Sequence, residues 1–148
     1  MDKLDSLDQK ILQRLSHDAR QSSEALAKDL NVSPSTVRRR INRLIENDVL
    51  RIAGIVNPAK AGYTLMAVIG IDAAHDRLDA VVSQLAGRPE VRWIATTTGR
   101  FDIVTLASFR STEDLGKFLQ QELPKMDGVR NSETFVCLRV EKGSELQL

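Results

Sequence analysis

Asn31-Val32-Ser33-Pro34-Ser35-Thr36-Val37-Arg38-Arg39-Arg40-Ile41-Asn42-Arg43-Leu44-Ile45-Glu46 is the stretch on which the fold of this chain turns. Ser33 reads as a helix N-cap, and Pro34 as the first helical residue, where its missing N–H costs nothing. At about 100° per residue, Val37, Ile41, Leu44 and Ile45 form one apolar stripe. Ser35, Thr36, Arg39 and Arg43 lie opposite that stripe, flanked by Arg38 and Arg40. Within residues 34–46 only Glu46 offsets the four arginines, and no acid stands four positions before any of them. An ion-pair-laced solvated face would mix signs, so it is the weaker reading of this helix.

Working upstream, Ser22 or Ser23 opens a second helix that carries Leu26, Ala27 and Leu30 on one face. Before it, Leu4, Leu7, Ile11, Leu12 and Leu15 have helical spacing, with Asp5 and Asp8 near the positive end of the helix dipole. A short helix, a tight turn and a helix with an apolar inner and basic outer face make a helix-turn-helix. Its second helix is shaped to enter the major groove of duplex DNA. The candidate DNA-contacting residues are Ser33, Pro34, Ser35, Thr36, Arg38, Arg39, Arg40 and Arg43. Ser35, Thr36 and Arg39 are best placed for base edges, whereas Arg40 packs its stem beside the core and reaches phosphate.

Downstream, Asn47-Asp48 suits a left-handed helix end. Val49 to Val56 then reads as extended chain broken at Gly54, the wing, and the connector closes over Asn57-Pro58 to Gly62. The expected organisation is a winged helix-turn-helix over 1–50, wing and connector over 51–62, and a second domain over 63–148. In that second domain strands are expected at Leu65–Ile71, Val91–Thr98, Asp102–Ser108 and Asn131–Val140, with a tight hairpin at Gly99-Arg100. Helices are expected over Arg77–Leu85 and from Ser111 through Leu115, Phe118, Leu119 and Leu123. The order is β-α-β-β-α-β, a ferredoxin-like arrangement, and the chain is therefore of the α+β class. RNA recognition by such a sheet needs stacking aromatics on its third strand, and Asp102-Ile103-Val104-Thr105-Leu106-Ala107 has none. An aliphatic, uncharged sheet face instead predicts pairing with a second copy of the chain.

Composition narrows the function classes. The 148 residues carry a net charge of +1, so DNA contact must be local rather than an all-over basic coat. Residues 1–60 are net +3 and residues 61–148 net −2. No apolar run reaches membrane-spanning length, and the opening Met1-Asp2-Lys3-Leu4-Asp5 lacks the pattern of a signal peptide, so a cytoplasmic protein without membrane contact is expected. The single cysteine, Cys137, rules out an internal disulfide, and with His17 and His75 it does not make a tetrahedral metal site; no cofactor is implied. No nucleophile–histidine–acid grouping and no glycine-rich phosphate cradle appear, so the expectation is not an enzyme.

The chain resembles the Lrp/AsnC family, the leucine-responsive and asparagine-synthesis (feast/famine) regulators. Leu4-Asp5-Ser6-Leu7-Asp8-Gln9-Lys10-Ile11-Leu12, Asp18-Ala19-Arg20 and Leu30 to Ile41 carry the resemblance in the first half. Gly99-Arg100-Phe101-Asp102 and Gly128-Val129 leading into Thr134 carry it in the second. Asn47-Asp48 departs from it, standing where family members usually end the recognition helix with glycine. The resemblance implies a DNA-binding head, and a βαββαβ domain that dimerises and builds tetramers or octamers. It also implies an amino-acid effector held between C-terminal domains. Carried over, Thr98, Gly99, Arg100 and Asp102 become the polar side of that pocket, and Phe135 and Val136 of a neighbouring copy its walls. Arg100 or hairpin N–H groups would meet the effector's carboxylate and Asp102 its ammonium. Gly99 and Asp102 equally suit turn geometry and hairpin capping alone. Some relatives of this architecture are haem-pathway decarboxylases, which leaves an enzyme as the alternative function.

Overall fold

The computed structural model describes residues 4–141, and the chain divides into two compact units, up to Ala53 and from Gly54. The opening Met1–Lys3 and the last seven positions of the expected second domain lie outside the described residues.

The first unit is three helices, α1 (Ser6–His17), α2 (Ser23–Leu30) and α3 (Pro34–Glu46). Each start is fixed by a side-chain cap that satisfies an otherwise orphaned N–H. Asp5 and Asp8 cap α1 reciprocally, Ser22 accepts from Ala25 N, and Ser33 accepts from Thr36 N. The turn between α2 and α3 is made by Asn31 in the left-handed conformation (φ 54°). Ile11, Leu15, Leu26, Ala27, Val37 and Leu44 form the buried centre, with Ile41 packed against it. Ile45 sits at the edge of the α3 stripe and remains exposed, so the stripe is narrower than its spacing predicts. At the end of α3 Asp48 takes a left-handed φ of 55°, and Val49 N and Leu50 N both donate to Leu44 O. From Val49 to Thr64 no strand forms, so the expected wing is not a hydrogen-bonded ribbon in this chain. Ile52, Ile55 and Val56 along it are exposed.

The second unit is a four-stranded antiparallel sheet with two helices on one face. Its strands are β1 (Leu65–Ala73), β2 (Val91–Thr96), β3 (Ile103–Phe109) and β4 (Val129–Val136), in the order β2-β3-β1-β4. The crossovers are α4 (Leu78–Ala86) and α5 (Thr112–Lys117). Beyond α5 the chain continues through a π-helical turn (Phe118–Glu122) and a 3₁₀ turn around Pro124. The expected single helix from Ser111 therefore changes its winding, which brings Phe118 and Leu123 onto the core. Ile69, Ile71, Ile103, Ala107 and Phe109 face the helices and bury against Val81, Leu85, Phe118 and Leu123. The last strand ends at Val136 rather than Val140.

The opposite face of the sheet is open. Strand register places Phe135, Val68, Leu106 and Trp93 in one row across all four strands. Trp93 and Phe135, at its two ends, are 47% and 52% exposed.

Candidate DNA-contacting helix and effector hairpin

α3 presents its arginines in different directions, and acids from other helices decide which. Arg40 and Arg43 converge on Asp8, which is fully buried. Arg43 Nη2 donates to Asp8 Oδ2 at 2.6 Å, and Arg40 Nη1 reaches Asp8 at 3.2 Å and Asp5 at 2.5 Å. Asp5's carboxyl is held below the usual range, first by the Asp8 backbone N–H and then by the Arg40 guanidinium. Asp8 stands 32 residues from Arg40, so the local charge pattern of α3 gives no sign of this brace. It ties α1 to α3 and sets the roll of α3 about its own axis. No acid stands at the i−4 positions of α3, yet acids of α2 and of the α1 start pair with three of its four arginines.

Arg38 pairs with Glu24 of α2 at 2.5 Å, with both side chains about 60% exposed. Arg39 is exposed and has no ion-pair partner among the described residues. At the helix start the hydroxyls of Ser35 and Thr36 lie 2.9 and 2.8 Å from Ser33 Oγ. Ser35 is exposed, while Thr36 and Pro34 are half-buried. One side of α3 thus carries Ser35, Thr36, Arg39 and the weakly held Arg38. Its other arginines serve the packing of the head.

In the second unit the expected tight hairpin is a six-residue connection, Thr97 to Asp102, between β2 and β3. Gly99 has a φ of 111°, which a side chain at that position would strain. Phe101 folds back over β1, where a Cβ on Gly70 would meet its ring at 2.4 Å. Asp102 Oδ2 accepts from Ala73 N at 2.9 Å, and Asp102 N donates to Ile71 O at 3.1 Å. The Asp102 side chain therefore latches the end of β1, the capping role the turn chemistry allows, through one carboxylate oxygen. Arg100 pairs with Glu133 on β4 at 2.7 Å and stacks over Phe101. Thr98 is exposed on the loop. Phe135 and Val136 pair with Val68 and Ala67. Those positions are three and four residues along β1 from Ile71, about 10 Å or more from the hairpin latch. One copy of the chain assembles Thr98 to Asp102 and sets Arg100 on Glu133, two residues before Phe135 on the same face of β4. Among the described residues no cluster of His, Cys, Asp and Glu could hold a metal ion, and no helix is long and apolar enough to cross a membrane.

Comparison with known proteins agrees with this geometry in both units. Residues 4–45 match the AsnC-type helix-turn-helix domain, and residues 66–146 match the Lrp/AsnC ligand binding domain. An uncharacterised helix-turn-helix-type transcriptional regulator of Pyrococcus abyssi is 40% identical over 140 residues, spanning 94% of this chain and 89% of its own. The helix-turn-helix-type regulator Ptr1 of Methanocaldococcus jannaschii is 30% identical, over 98% of this chain and 99% of its own. Among solved structures, AsnC of E. coli superposes with a TM-score of 0.88 at 28% identity, covering 95% of this chain and 96% of that one. A Neisseria meningitidis transcriptional regulator, solved in complex with L-Met, gives 0.89 at 25% identity, covering 99% and 97%. Both halves and their order being matched, the chain belongs to the Lrp/AsnC family of transcriptional regulators.

Proposed function

We propose that this regulator binds specific duplex DNA sequences through α3 and that a small effector, an amino acid, modulates that binding through its oligomeric state. The observation that carries the reading is the exposed side of α3, where Arg39, beside the hydroxyls of Ser35 and Thr36, has no acid among the described residues to neutralise it. Arginine's planar fork suits guanine or phosphate, and small hydroxyls allow close approach to base edges. Ser33 and Pro34 shape the helix start, Arg38 trades Glu24 for phosphate, and Arg40 and Arg43 act from behind by fixing the helix. DNA is the substrate of recognition, so the protein works in the cytoplasm and as a regulator rather than an enzyme.

The open sheet face supports a homodimer. Phe135, Val68, Leu106 and Trp93 make an apolar row that a second sheet would cover. Two α3 helices of such a dimer read half-sites about 34 Å apart or a multiple of that, and tetramers or octamers of the same unit engage more of them together. The effector reading is supported by a relative solved with L-Met. In this reading the ligand lies against Thr98, Gly99, Arg100 and Asp102 of one copy, with Phe135 and Val136 of another as its walls. Asp102 has one carboxylate oxygen engaged with Ala73 N and the other available to an ammonium.

The test is fluorescence anisotropy on the protein's own upstream DNA and on a scrambled duplex, across salt, with and without a pool of amino acids. Sequence-preferring, salt-sensitive binding that shifts with the pool is the expected result. No binding to either duplex at low salt overturns the DNA reading, and binding indifferent to every amino acid overturns the effector reading.

A further inference from the structure

Away from the hairpin and the open face, three segments of the second unit bring two arginines onto one phenol. Tyr63 precedes β1, Arg92 lies at the irregularity of β2 between Val91 and Trp93, and Arg110 follows β3. The Leu65–Phe109 pairing and the bond from Thr64 Oγ1 to Arg110 O (3.0 Å) hold Tyr63 and Arg110 together. The Arg92 guanidinium carbon stands 4.5 Å from the Tyr63 ring centroid and that of Arg110 5.4 Å. The two cations therefore lie within about 10 Å of each other, no more than a Debye length at ordinary salt.

Arg77, Arg88, Arg100 and Arg139 of this unit each pair with a carboxylate. Arg92 and Arg110 pair with none among the described residues. Nε and Nη2 of Arg92 are shielded from solvent and have no hydrogen-bond partner there. Stacking on the ring offsets part of the cost of holding such a charge, and the repulsion between the two guanidiniums adds to it. A cleft of about 350 Å³ opens beside Tyr63 and Arg110, and Lys117 on its wall is paired with Glu113 at 2.9 Å. Of the acids on that wall, Glu90 and Glu122 are already drawn to Arg88. Asp114 is the remaining acid on that wall, and its charge acts on Lys117.

We propose that Tyr63, Arg92 and Arg110 form a binding site for a phosphate group, borne either by the DNA backbone or by a free phosphate. Two guanidiniums from separate strands lie over one phenol ring, and their several N–H donors suit the acceptor oxygens of a tetrahedral dianion better than a planar carboxylate. The same two cations already hold the Tyr63 phenol below its ordinary pKa, Arg92 chiefly and Arg110 next. An anion bound to them offsets that influence and moves the phenol back up.

Tyr63 is the only tyrosine of the chain, so tyrosinate absorbance reports on this site alone. Inorganic phosphate is titrated into the full chain against chloride at equal ionic strength. The expected result is an upward shift of the phenol midpoint in phosphate only, with phosphate affinity falling about tenfold or more in Arg92→Gln and in Arg110→Gln. Arg130→Gln, on the other edge of the sheet, serves as the control and leaves both unchanged. The second arm, which alone rests on the DNA-binding reading, measures duplex affinity against salt at neutral pH. If the DNA backbone is the source, each of the two variants makes the slope of log K on log salt shallower by about 0.9. A response in the first arm alone assigns free phosphate, and in the second alone the backbone. Silence in the first arm, together with unaltered slopes in a wild-type chain that does bind DNA, overturns the site. A wild-type chain that binds no DNA fails the functional reading while the first arm still decides this one.

Discussion

The arginines of α3 divide into three kinds, and salt separates them. Each phosphate contact adds about 0.9 to the slope of log K on log salt, so raising salt from 50 to 200 mM costs about 3.5-fold in affinity per contact. Arg38 is held by Glu24 in an exposed pair, which is easily exchanged for phosphate. Arg38→Gln should therefore remove about one contact, binding less tightly at 50 mM and losing about 3.5-fold less between the two salts. Arg39, exposed and without an ion-pair partner among the described residues, is the residue proposed to reach a base edge. Its change to Gln should cost about 1–3 kcal/mol on the preferred duplex, little on a scrambled one, and nothing in slope. Arg43 donates to the fully buried Asp8 at 2.6 Å and is not available to phosphate without breaking that bond. Arg43→Gln should leave the slope at the wild-type value. Anisotropy titrations of the four single variants at several salts, each first shown helical by circular dichroism, supply the comparison. If a folded Arg40→Gln or Arg43→Gln flattens the slope as much as Arg38→Gln does, the division is wrong, and the brace opens on DNA.

Three further outcomes follow from named contacts. Asp8→Asn keeps the side chain's size but leaves two arginines without their buried counter-charge; since Arg43 keeps some solvent, the cost should be about 2–4 kcal/mol, read as a lower urea midpoint for the helical unit. Gly70→Ala would drive a methyl into the root of the Phe101 ring and should cost about 1–3 kcal/mol, with the Thr97–Asp102 loop exchanging its amide hydrogens faster. Leu106→Glu places a charge in the middle of the row from Phe135 to Trp93; sedimentation should show smaller assemblies, and an unchanged distribution would exclude that face as the interface.

What the sequence showed of the fold, it showed through local signals. Ser22 and Ser33 announce helix starts because an N-cap acts over three residues, and alternating β-branched stretches mark strands for the same reason of short range. The changes of winding at Phe118 and the end of β4 at Val136 were not legible, because packing and pairing partners tens of residues away decide them. The missing ribbon between Val49 and Val56 is of the same kind: extended propensity is present, but no strand among the described residues pairs with it. At the candidate sites the residue types were readable and their allegiances were not. Asp8 reads as a dipole-complementing acid of α1, and nothing nearby in the chain says that it is buried under two arginines of α3. The pairing of Arg92 and Arg110 about Tyr63 depends on three strands and has no sequence signature at all.

Two aspartates show why charge must be followed through the fold before it is assigned to a ligand. Asp8 and Asp102 each close a gap between elements distant in the chain, the first joining α1 to α3 and the second joining the β2–β3 loop to the end of β1. They differ in what is left over. Asp8 is fully buried, its oxygens taken up by Arg40, Arg43 and the Asp5 backbone, so its contribution to DNA recognition is confined to how α3 is held. Asp102 is exposed and engages a single N–H through a single oxygen, so a latch and a ligand contact are compatible in the same carboxylate. An ammonium arriving at the second oxygen would add to the hydrogen bond with Ala73 rather than replace it. Effector binding at this hairpin would then leave the latch in place and add a second tie to the same loop, giving the ligand a physical means of stabilising one arrangement of the effector domain over another.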